Sequence, residues 1–381
     1  MNETRATRYQ RLRRRGSTAA AVSAGLMLAT VALTPLSHRL ALWAIAAAGS
    51  AAEPVRTWLA LALFVLCTVA LWEIASLPAM LYLSLSLDRR YGSGTSSVED
   101  VLAAQLQATA VALPAALLAA AVIAASVWTA GPWWWLVAGA AWMAVWAVAV
   151  RGAPAFVARV ADARPIDRPA LVERLGAIAR RARVPIADIA QWRPVRSAPS
   201  SAFVTGAGRD RRVFVSAELV DDWSDDEIAV VVAHELAHHV YRDLWRTLAL
   251  DGTIVMAGLL TADVLIRFKG RVFGLDSAAD LGALPFIALV SLLVWAAATP
   301  LRHAQSRAHE RRADIFALAM TNGVDAFGAA VRRLGARHLA EERPSALTQW
   351  LFHRHPSVTE RLALAERYER VREYVATSSR Q

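Results

Sequence analysis

Long apolar segments constrain this chain more than any other feature of its sequence. A helix that crosses a bilayer needs roughly 20 predominantly apolar residues, and six segments meet that requirement. They lie at about 17–36, 57–86, 103–128, 133–151, 247–266 and 282–300. A shorter apolar piece at 40–52 could be re-entrant or interfacial. The sequence therefore predicts a protein with several membrane-spanning helices.

Composition and charge support this prediction. Of the 381 residues, 56% are hydrophobic and 19% charged, which is more apolar than a typical soluble protein. The net charge of +10 comes from arginines that flank the apolar segments. That pattern is typical of loops kept on the cytoplasmic side, and it does not indicate a nucleic-acid partner. The single cysteine, Cys67, excludes an intramolecular disulfide. We expect an integral protein of the plasma membrane.

The pattern of spans divides the chain into four regions. They are an N-terminal transmembrane region of about four spans at 1–151, a polar region at 152–246, a transmembrane helical hairpin at 247–300, and a second polar region at 301–381. Because the hairpin returns the chain to the side it left, both polar regions can fold together. The loop charges place them in the cytoplasm.

Local patterns within the first polar region predict a helix and a small sheet. Apolar residues recur at helical spacing over 168–183, which indicates an amphipathic helix. The segment 200–206 is predicted as a strand that ends in a turn, and 211–219 as a strand that leads into a helix, so together they predict a small β-hairpin. In the fifth predicted span, Asp251 and Asp263 either face the protein interior or line a wet cavity.

The segment SDDEIAVVVAHELAHHVYRD carries the clearest chemical signal. Ser224, followed three residues later by Glu227, is a capping-box signature, so we expect a helix to begin there. His234 and His238 are four residues apart and share one face of that helix, where two imidazoles can bind one metal ion. Glu235 can take a proton from a water molecule at the metal, as a general base does.

A catalytic zinc ion normally has three protein ligands, so one more must come from elsewhere in the chain. The segment SRAHERRADIFALAM, just after the last span, has a helical pattern and contains Glu310. Asp314 lies one turn later on the same face and can accept a hydrogen bond from a ligand imidazole. His309 is a rival ligand, but it points about 100° away from Glu310 on the helix.

HELAHHVYRD and SRAHERRAD together resemble the zinc metallopeptidase family that contains the type I CAAX prenyl protease and the HtpX heat-shock protease. That family pairs HExxH with a glutamate in an ExxxD helix after two intervening spans. HPSVTERL, SSAFVTGAGRDRRVFVSAEL and LPAMLYLSLSLDRRYG also resemble it, so the similarity runs over most of the chain. It is closer to the prenyl protease branch. One departure is Ser201, which stands where that branch has asparagine.

The resemblance implies a multi-spanning α-helical membrane protein with a zincin-like α+β metalloprotease region on its cytoplasmic side. It implies one Zn²⁺ per chain and a polypeptide substrate, which can be membrane-associated or lipidated. The residues it assigns are the zinc ligands His234, His238 and Glu310, the base Glu235, and the supporting carboxylate Asp314. The strand around Val213–Val215 would then pair with an extended substrate.

The resemblance also implies that His355 and Arg361 stabilise the oxyanion or support the site. The residues themselves leave other interpretations open. His355 precedes a proline and could cap the next helix, where Ser357 and Glu360 offer a second capping box. Arg361 could equally be a structural arginine paired with the neighbours of Glu235 or with Asp314.

The sequence thus predicts a membrane-embedded zinc metalloendopeptidase. One alternative is a proteolytic signalling transducer, which would need a sizeable extracytoplasmic sensor, whereas the predicted outer loops are short. Another is a non-catalytic scaffold on the same fold, which would be expected to lack the base or a ligand. The physiological substrate and the oligomeric state stay open.

Overall fold

A computed structural model of the chain describes residues 4–91, 97–160, 163–193, 201–337, 339–341 and 343–378. The described part is mostly helical. Its α-helices are α1 (Arg5–Leu33), α2 (Leu36–Ala47), α3 (Val55–Leu81), α4 (Arg89–Tyr91), α5 (Val98–Ala130), α6 (Trp134–Val160), α7 (Pro169–Arg181), α8 (Ala217–Asp222), α9 (Asp225–Val240), α10 (Asp243–Lys269), α11 (Leu284–Thr321), α12 (Val324–Arg337), α13 (Ala346–Phe352) and α14 (Val358–Ser378). A π-helical stretch, Tyr82–Asp88, extends α3.

Five helical stretches are long and apolar enough to cross a membrane, among the residues that the structure describes. They are Arg5–Leu33, Val55–Tyr91, Val98–Arg159, Asp243–Phe273 and Leu281–Thr321. The third stretch contains both the third and the fourth predicted segments. The apolar piece predicted at 40–52 overlaps α2, whose 12 residues are too few to span a bilayer.

The third stretch folds back on itself at a short 3₁₀ turn, Gly131–Trp133, between α5 and α6. Ala116 of α5 and Trp142 of α6 line the same cavity. In one straight helix they would lie about 39 Å apart, at 1.5 Å per residue. Gly131 has a φ of 50°, a conformation that glycine adopts without steric cost. The single stretch therefore supplies two antiparallel helices.

The chain forms two compact units. One unit comprises Met1–Gln10, Val145–Ala249 and Pro300–Gln381, and the other comprises Arg11–Ala144 and Leu250–Thr299. The first contains the sheet and the helices around it, and we call it the sheet unit. The second is helical and contains most of the apolar segments, and we call it the helical unit.

The sheet unit is built on four strands in the order β1-β2-β4-β3, namely Arg164–Pro165, Asp188–Trp192, Arg212–Ser216 and Ala202–Thr205. β2 and β4 are parallel, whereas β3 pairs with β4 as an antiparallel hairpin. This confirms the predicted hairpin, except that Ser200 lies outside the described residues. Apolar residues of the sheet, α7, α9 and α12 form one buried core, with Leu175, Phe327 and Ile228 fully enclosed.

Local sequence signals account for the helix boundaries around this core. Ser224 and Glu227 form the predicted capping box at the start of α9, each bonding to the other's backbone N–H. Ser357 and Glu360 exchange the same pair of bonds at α14. α7 buries Leu171 and two further apolar residues of the same face, which confirms the amphipathic helix predicted at 168–183.

In the helical unit, a polar network fixes the turn between α5 and α6. The indole Nε1 of Trp134 donates a hydrogen bond of 2.7 Å to Asp263, and both side chains are buried. Arg267 donates to Asp263 at 2.7 Å and to the carbonyl of Pro132 at 3.0 Å. Asp263 therefore faces the protein interior, which decides between the two interpretations of that residue.

Candidate metal centre

The two histidines lie on one face of α9, and the opposite face of this helix packs into the core. Ile228, Val232 and Leu236 are buried against the sheet unit's core, so the residues offset from that stripe face away from it. His234 and His238 stand one turn apart on this other face, with their ring centroids 5.1 Å apart.

α11 brings Glu310 to the same place. Its Oε2 lies 3.4 Å from Nε2 of His234, and its Oε1 lies 3.7 Å from Nε2 of His238. One ligand atom from each of the three residues lies within 4.8 Å of the other two. Among the described residues, no other set of three histidine, cysteine or acidic side chains comes together in this way. The arrangement offers two nitrogen donors and one carboxylate, a set that suits zinc.

Each of the two imidazoles has its own carboxylate on the far side of the ring. Nδ1 of His234 lies 2.9 Å from Oδ1 of Asp314, and Nδ1 of His238 forms a hydrogen bond of 3.0 Å with Oδ2 of Asp243. Both carboxylates are buried. A partner that occupies Nδ1 leaves Nε2 free to bind a metal and holds the ring in one orientation. The Nε2 atoms of both rings point at Glu310.

Asp243 is a site residue that the sequence reasoning missed. It is the first residue of α10, and it reaches back to His238 because Arg242 has a φ of 56° and reverses the chain after α9. Arg312 donates a hydrogen bond of 2.8 Å to the other oxygen of Asp243. His309, weighed above as a rival ligand, lies 3.6 Å from that same oxygen. The acidic residue five positions after the second histidine was the available signal.

Arg361 and His355 both contact the carboxylates of α11, in different ways. Arg361 donates two hydrogen bonds to Asp314, of 2.9 and 2.6 Å, and is 16% exposed. This contact matches the structural interpretation of Arg361. Nδ1 of His355 lies 2.9 Å from Oε2 of Glu310, while its side chain is 68% exposed. His355 is therefore at the open side of the site and Arg361 behind it.

The charges of the site shift the pKa of its residues. Burial opposes protonation of His234, but the carboxylates of Asp314 and Glu310 raise its pKa to about 10. Burial raises the pKa of Glu235, with the neighbouring Glu310 adding to the effect and His234 opposing it. The elevated pKa of Glu235 brings its proton affinity closer to that needed for proton transfer near neutral pH.

The predicted pairing of Val213–Val215 with a substrate is wrong. These residues belong to β4, which is paired on both sides, by β2 and by β3. The sheet edge beside α9 is β3. The prediction failed because no strand was expected at 188–192, and β2 from that segment covers the other side of β4.

His239 connects this edge strand to the motif helix. Its Nε2 donates a hydrogen bond of 3.2 Å to the carbonyl of Val204 in β3. Nδ1 accepts a hydrogen bond of 3.1 Å from Arg211. Burial lowers the pKa of His239, which agrees with a neutral ring that donates once and accepts once.

A cavity of about 360 Å³ lies between the end of β3 and the metal-binding residues. Val204, Thr205 and Gly206 line it on one side, and His238 and Glu310 on the other. An extended chain placed along β3 would pass this cavity next to the three clustered ligands. The cavity gives the site room for a reacting group next to His238 and Glu310.

Comparisons with known proteins agree with this architecture. The family model described as "Peptidase family M48" matches residues 165–369, and the one described as "CAAX prenyl protease N-terminal, five membrane helices" matches residues 4–160. The chain is 29% identical over 178 residues to an "Uncharacterized metalloprotease YhfN" of Bacillus subtilis, covering 46% of this chain and 42% of that protein. It is 28% identical over 220 residues to a "Protease HtpX homolog" of Janthinobacterium, covering 53% and 74%.

The chain thus spans about two-fifths of the Bacillus relative. Among solved structures, it is similar to Ste24p of S. mikatae, with a TM-score of 0.79 and 17% identity over 94% of this chain and 88% of that one. This similarity confirms the fold expected from the sequence. With its membrane helices, the chain is an integral membrane protein. Since the first family model covers more than half of its length, the chain belongs to peptidase family M48.

Proposed function

We propose that this chain is a zinc-dependent endopeptidase whose active site faces the cytoplasm. One observation carries the proposal: two imidazoles and a carboxylate that lies 72 or more positions later in the chain converge, and each imidazole has a buried carboxylate behind it. Incidental surface histidines would not need such partners, since burying a charge without a function is costly. Membership of a peptidase family supports a polypeptide substrate.

The donor set fits zinc. His234 and His238 would bind through Nε2 and Glu310 through its carboxylate, which leaves a fourth position open, as a catalytic site requires. A zinc ion bound there would acidify a water molecule and polarise the scissile carbonyl. Asp314 and Asp243 would keep each imidazole in the tautomer that presents Nε2.

The other residues of the site would handle the proton and the developing charge. Glu235 would accept a proton from the attacking water and deliver it to the leaving amine. His355, exposed beside Glu310, would donate a hydrogen bond to the oxygen on which negative charge develops. Arg361 would act through Asp314, which it holds in place. The substrate would extend along β3, within reach of the cavity beside His238.

The test combines metal analysis with a cleavage assay on purified full-length protein. We expect about one zinc ion per wild-type chain. Glu235→Gln should keep that zinc and lose cleavage of a casein-like or prenylated reporter. Glu310→Gln should lose both. Equal cleavage by wild type and Glu235→Gln would overturn the assignment of the base, and full zinc occupancy in Glu310→Gln would overturn the ligand set.

The orientation can be tested separately. A cysteine at an exposed position of α14, such as Tyr374→Cys in a Cys67→Ser background, should react with a membrane-impermeant maleimide only after the cells are opened. Labelling in intact cells would place the sheet unit outside and contradict a cytoplasmic site.

A further inference from the structure

A second cavity, unrelated to the metal centre, lies in the helical unit. It has a volume of about 440 Å³ and sits where the first turn of α3, the last turn of α5 and the start of α11 meet. Polar residues line part of it, namely Glu53, Arg56, Thr57 and Asp280. The remaining lining is mainly apolar and includes Ile45, Leu61, Ile123 and Leu284.

Arg56 has a buried donor with no partner in this cavity. Its Nε is inaccessible to solvent and forms no hydrogen bond within the part of the chain that the structure describes. Neither carboxylate of the cavity pairs with Arg56: Glu53 accepts a bond of 2.6 Å from Thr57 through Oε2, and Asp280 accepts the backbone N–H groups of Asp276 and Ser277 through Oδ2. Arg56 itself is only partly buried, so it is this one donor that lacks a partner, and an anionic group in the cavity could accept its hydrogen bond.

The surroundings of the cavity match those of a membrane–water interface. Its walls are helix ends, and Trp58 and Trp128 pack edge to face beside it with ring centroids 5.3 Å apart. Both indoles are partly exposed. Tryptophan is enriched at the depth of lipid headgroups, where an amphipathic ring is solvated at one edge. The phosphate groups of a bilayer lie at that same depth.

A second, apolar cavity adjoins this one. Ile123 and Leu284 also line a neighbouring cavity of about 450 Å³, which is enclosed mainly by apolar side chains such as Phe64 and Leu259. A partly polar cavity next to an apolar one suits the two ends of an amphiphile. Each volume lies within the range of small-molecule sites in proteins.

We propose that this double cavity binds one glycerophospholipid with a primary-ammonium headgroup. Its phosphate would accept hydrogen bonds from Arg56, and its ammonium group would lie near the carboxylates of Glu53 and Asp280. One acyl chain would pass between Ile123 and Leu284 into the apolar cavity. The presence of carboxylates beside the arginine favours a zwitterionic headgroup over an anionic one. The lipid would couple α3, α5 and α11 at one end of the helical unit.

The test measures lipid binding to the delipidated full-length protein in detergent by native mass spectrometry. We expect phosphatidylethanolamine to bind saturably at one molecule per chain. Arg56→Gln should weaken it at least about tenfold, since a charge-assisted hydrogen bond is lost. Arg39→Gln, an exposed arginine on α2 outside the cavity, should bind as wild type does. Ile123→Trp, which narrows the passage and leaves Arg56 intact, should also weaken binding.

Competing ligands distinguish the parts of the proposal. Diacylglycerol with the same acyl chains should bind at least about tenfold more weakly, since it has no phosphate. Equal binding of diacylglycerol, or wild-type affinity in Arg56→Gln, would overturn the site. Displacement of the lipid by inorganic phosphate at similar concentrations would show that free phosphate is the ligand. Tighter binding of phosphatidylglycerol would refute the role given to Glu53 and Asp280.

Discussion

Nδ1 of His238 forms a 3.0 Å hydrogen bond with Oδ2 of Asp243, a carboxylate that is 3% exposed and held from its other side by Arg312. The other ligand imidazole also has a carboxylate beside Nδ1, since Oδ1 of Asp314 lies 2.9 Å from Nδ1 of His234. A ring that is held at Nδ1 presents Nε2 in a fixed direction. The two carboxylates therefore restrict the orientations of the histidine rings on the metal-binding face of α9.

We expect Asp243→Asn to weaken zinc binding by about 10- to 100-fold, the usual effect of removing such a partner. The cause is loss of the acceptor that keeps the proton of His238 on Nδ1. Competition with a chromophoric chelator measures the affinity. Asp226→Asn, an exposed residue in the first turn of the same helix, is the matched control and should bind zinc normally. Wild-type affinity in Asp243→Asn would show that Asp243 has no part in metal binding.

Arg361→Ala tests whether this arginine supports the fold or the reaction. Asp314 is fully buried, so removal of its partner leaves a buried charge, and we expect unfolding to become easier by about 3–5 kcal/mol. Thermal unfolding of the detergent-solubilised protein detects the change. Arg370→Ala, on the exposed side of the same helix, should have little effect. Unchanged stability with a large fall in kcat would instead indicate a direct contact with the oxyanion.

In contrast to Arg361→Ala, His355→Ala should lower the reaction rate and leave the stability of the fold unchanged. Because the side chain is largely exposed, its loss should leave the unfolding temperature and the zinc content close to wild type. Loss of an oxyanion donor lowers kcat by about 10²- to 10³-fold. Steady-state kinetics with a peptide reporter measures it, and His353→Ala, two residues earlier, should retain activity. A destabilised His355→Ala protein with normal kcat would favour a capping role.

Zinc binding should depend on pH through His234. In metal-free protein its pKa of about 10 lies above the ordinary value of 6.5, so the ring is protonated near neutral pH and must lose that proton to bind a metal. The apparent zinc affinity should rise about tenfold per pH unit below that pKa, by proton linkage. Calorimetry in buffers of different protonation enthalpy measures the proton released. A pH-independent affinity would contradict the assignment.

The raised pKa of His234 should also make the folding stability of the metal-free protein depend on pH. A group whose folded pKa is raised stabilises the fold below its unfolded pKa, and this stabilisation is lost as pH rises through the folded pKa. For His234, the metal-free protein should therefore lose stability between pH 6.5 and about 10. Zinc should remove that dependence.

Much of the architecture could be predicted from local patterns. The apolar segments, the capping box at Ser224 and the β3–β4 hairpin each depend on residues close in sequence. The ligands of α9 followed from helical spacing alone. The prediction of Glu310 as the third ligand depended on the family resemblance, because no local pattern relates this residue to histidines 70 or more positions earlier.

The features that were missed depend on the path of the chain between elements. Asp243 reaches His238 only through the left-handed backbone at Arg242, which no periodicity indicates. β2 was not predicted because the strand has only five residues and is only partly apolar. β4 was therefore expected to be an edge strand. The double cavity around Arg56 arises from helices brought together in the helical unit.

The most direct test is an anomalous difference map, recorded at the zinc edge, from crystals of the zinc-loaded protein. We expect a single strong peak about 2.0–2.2 Å from Nε2 of His234, Nε2 of His238 and the carboxylate of Glu310. A peak that lacks the Glu310 carboxylate within coordination distance, or that lies at the Nδ1 atoms, would contradict it.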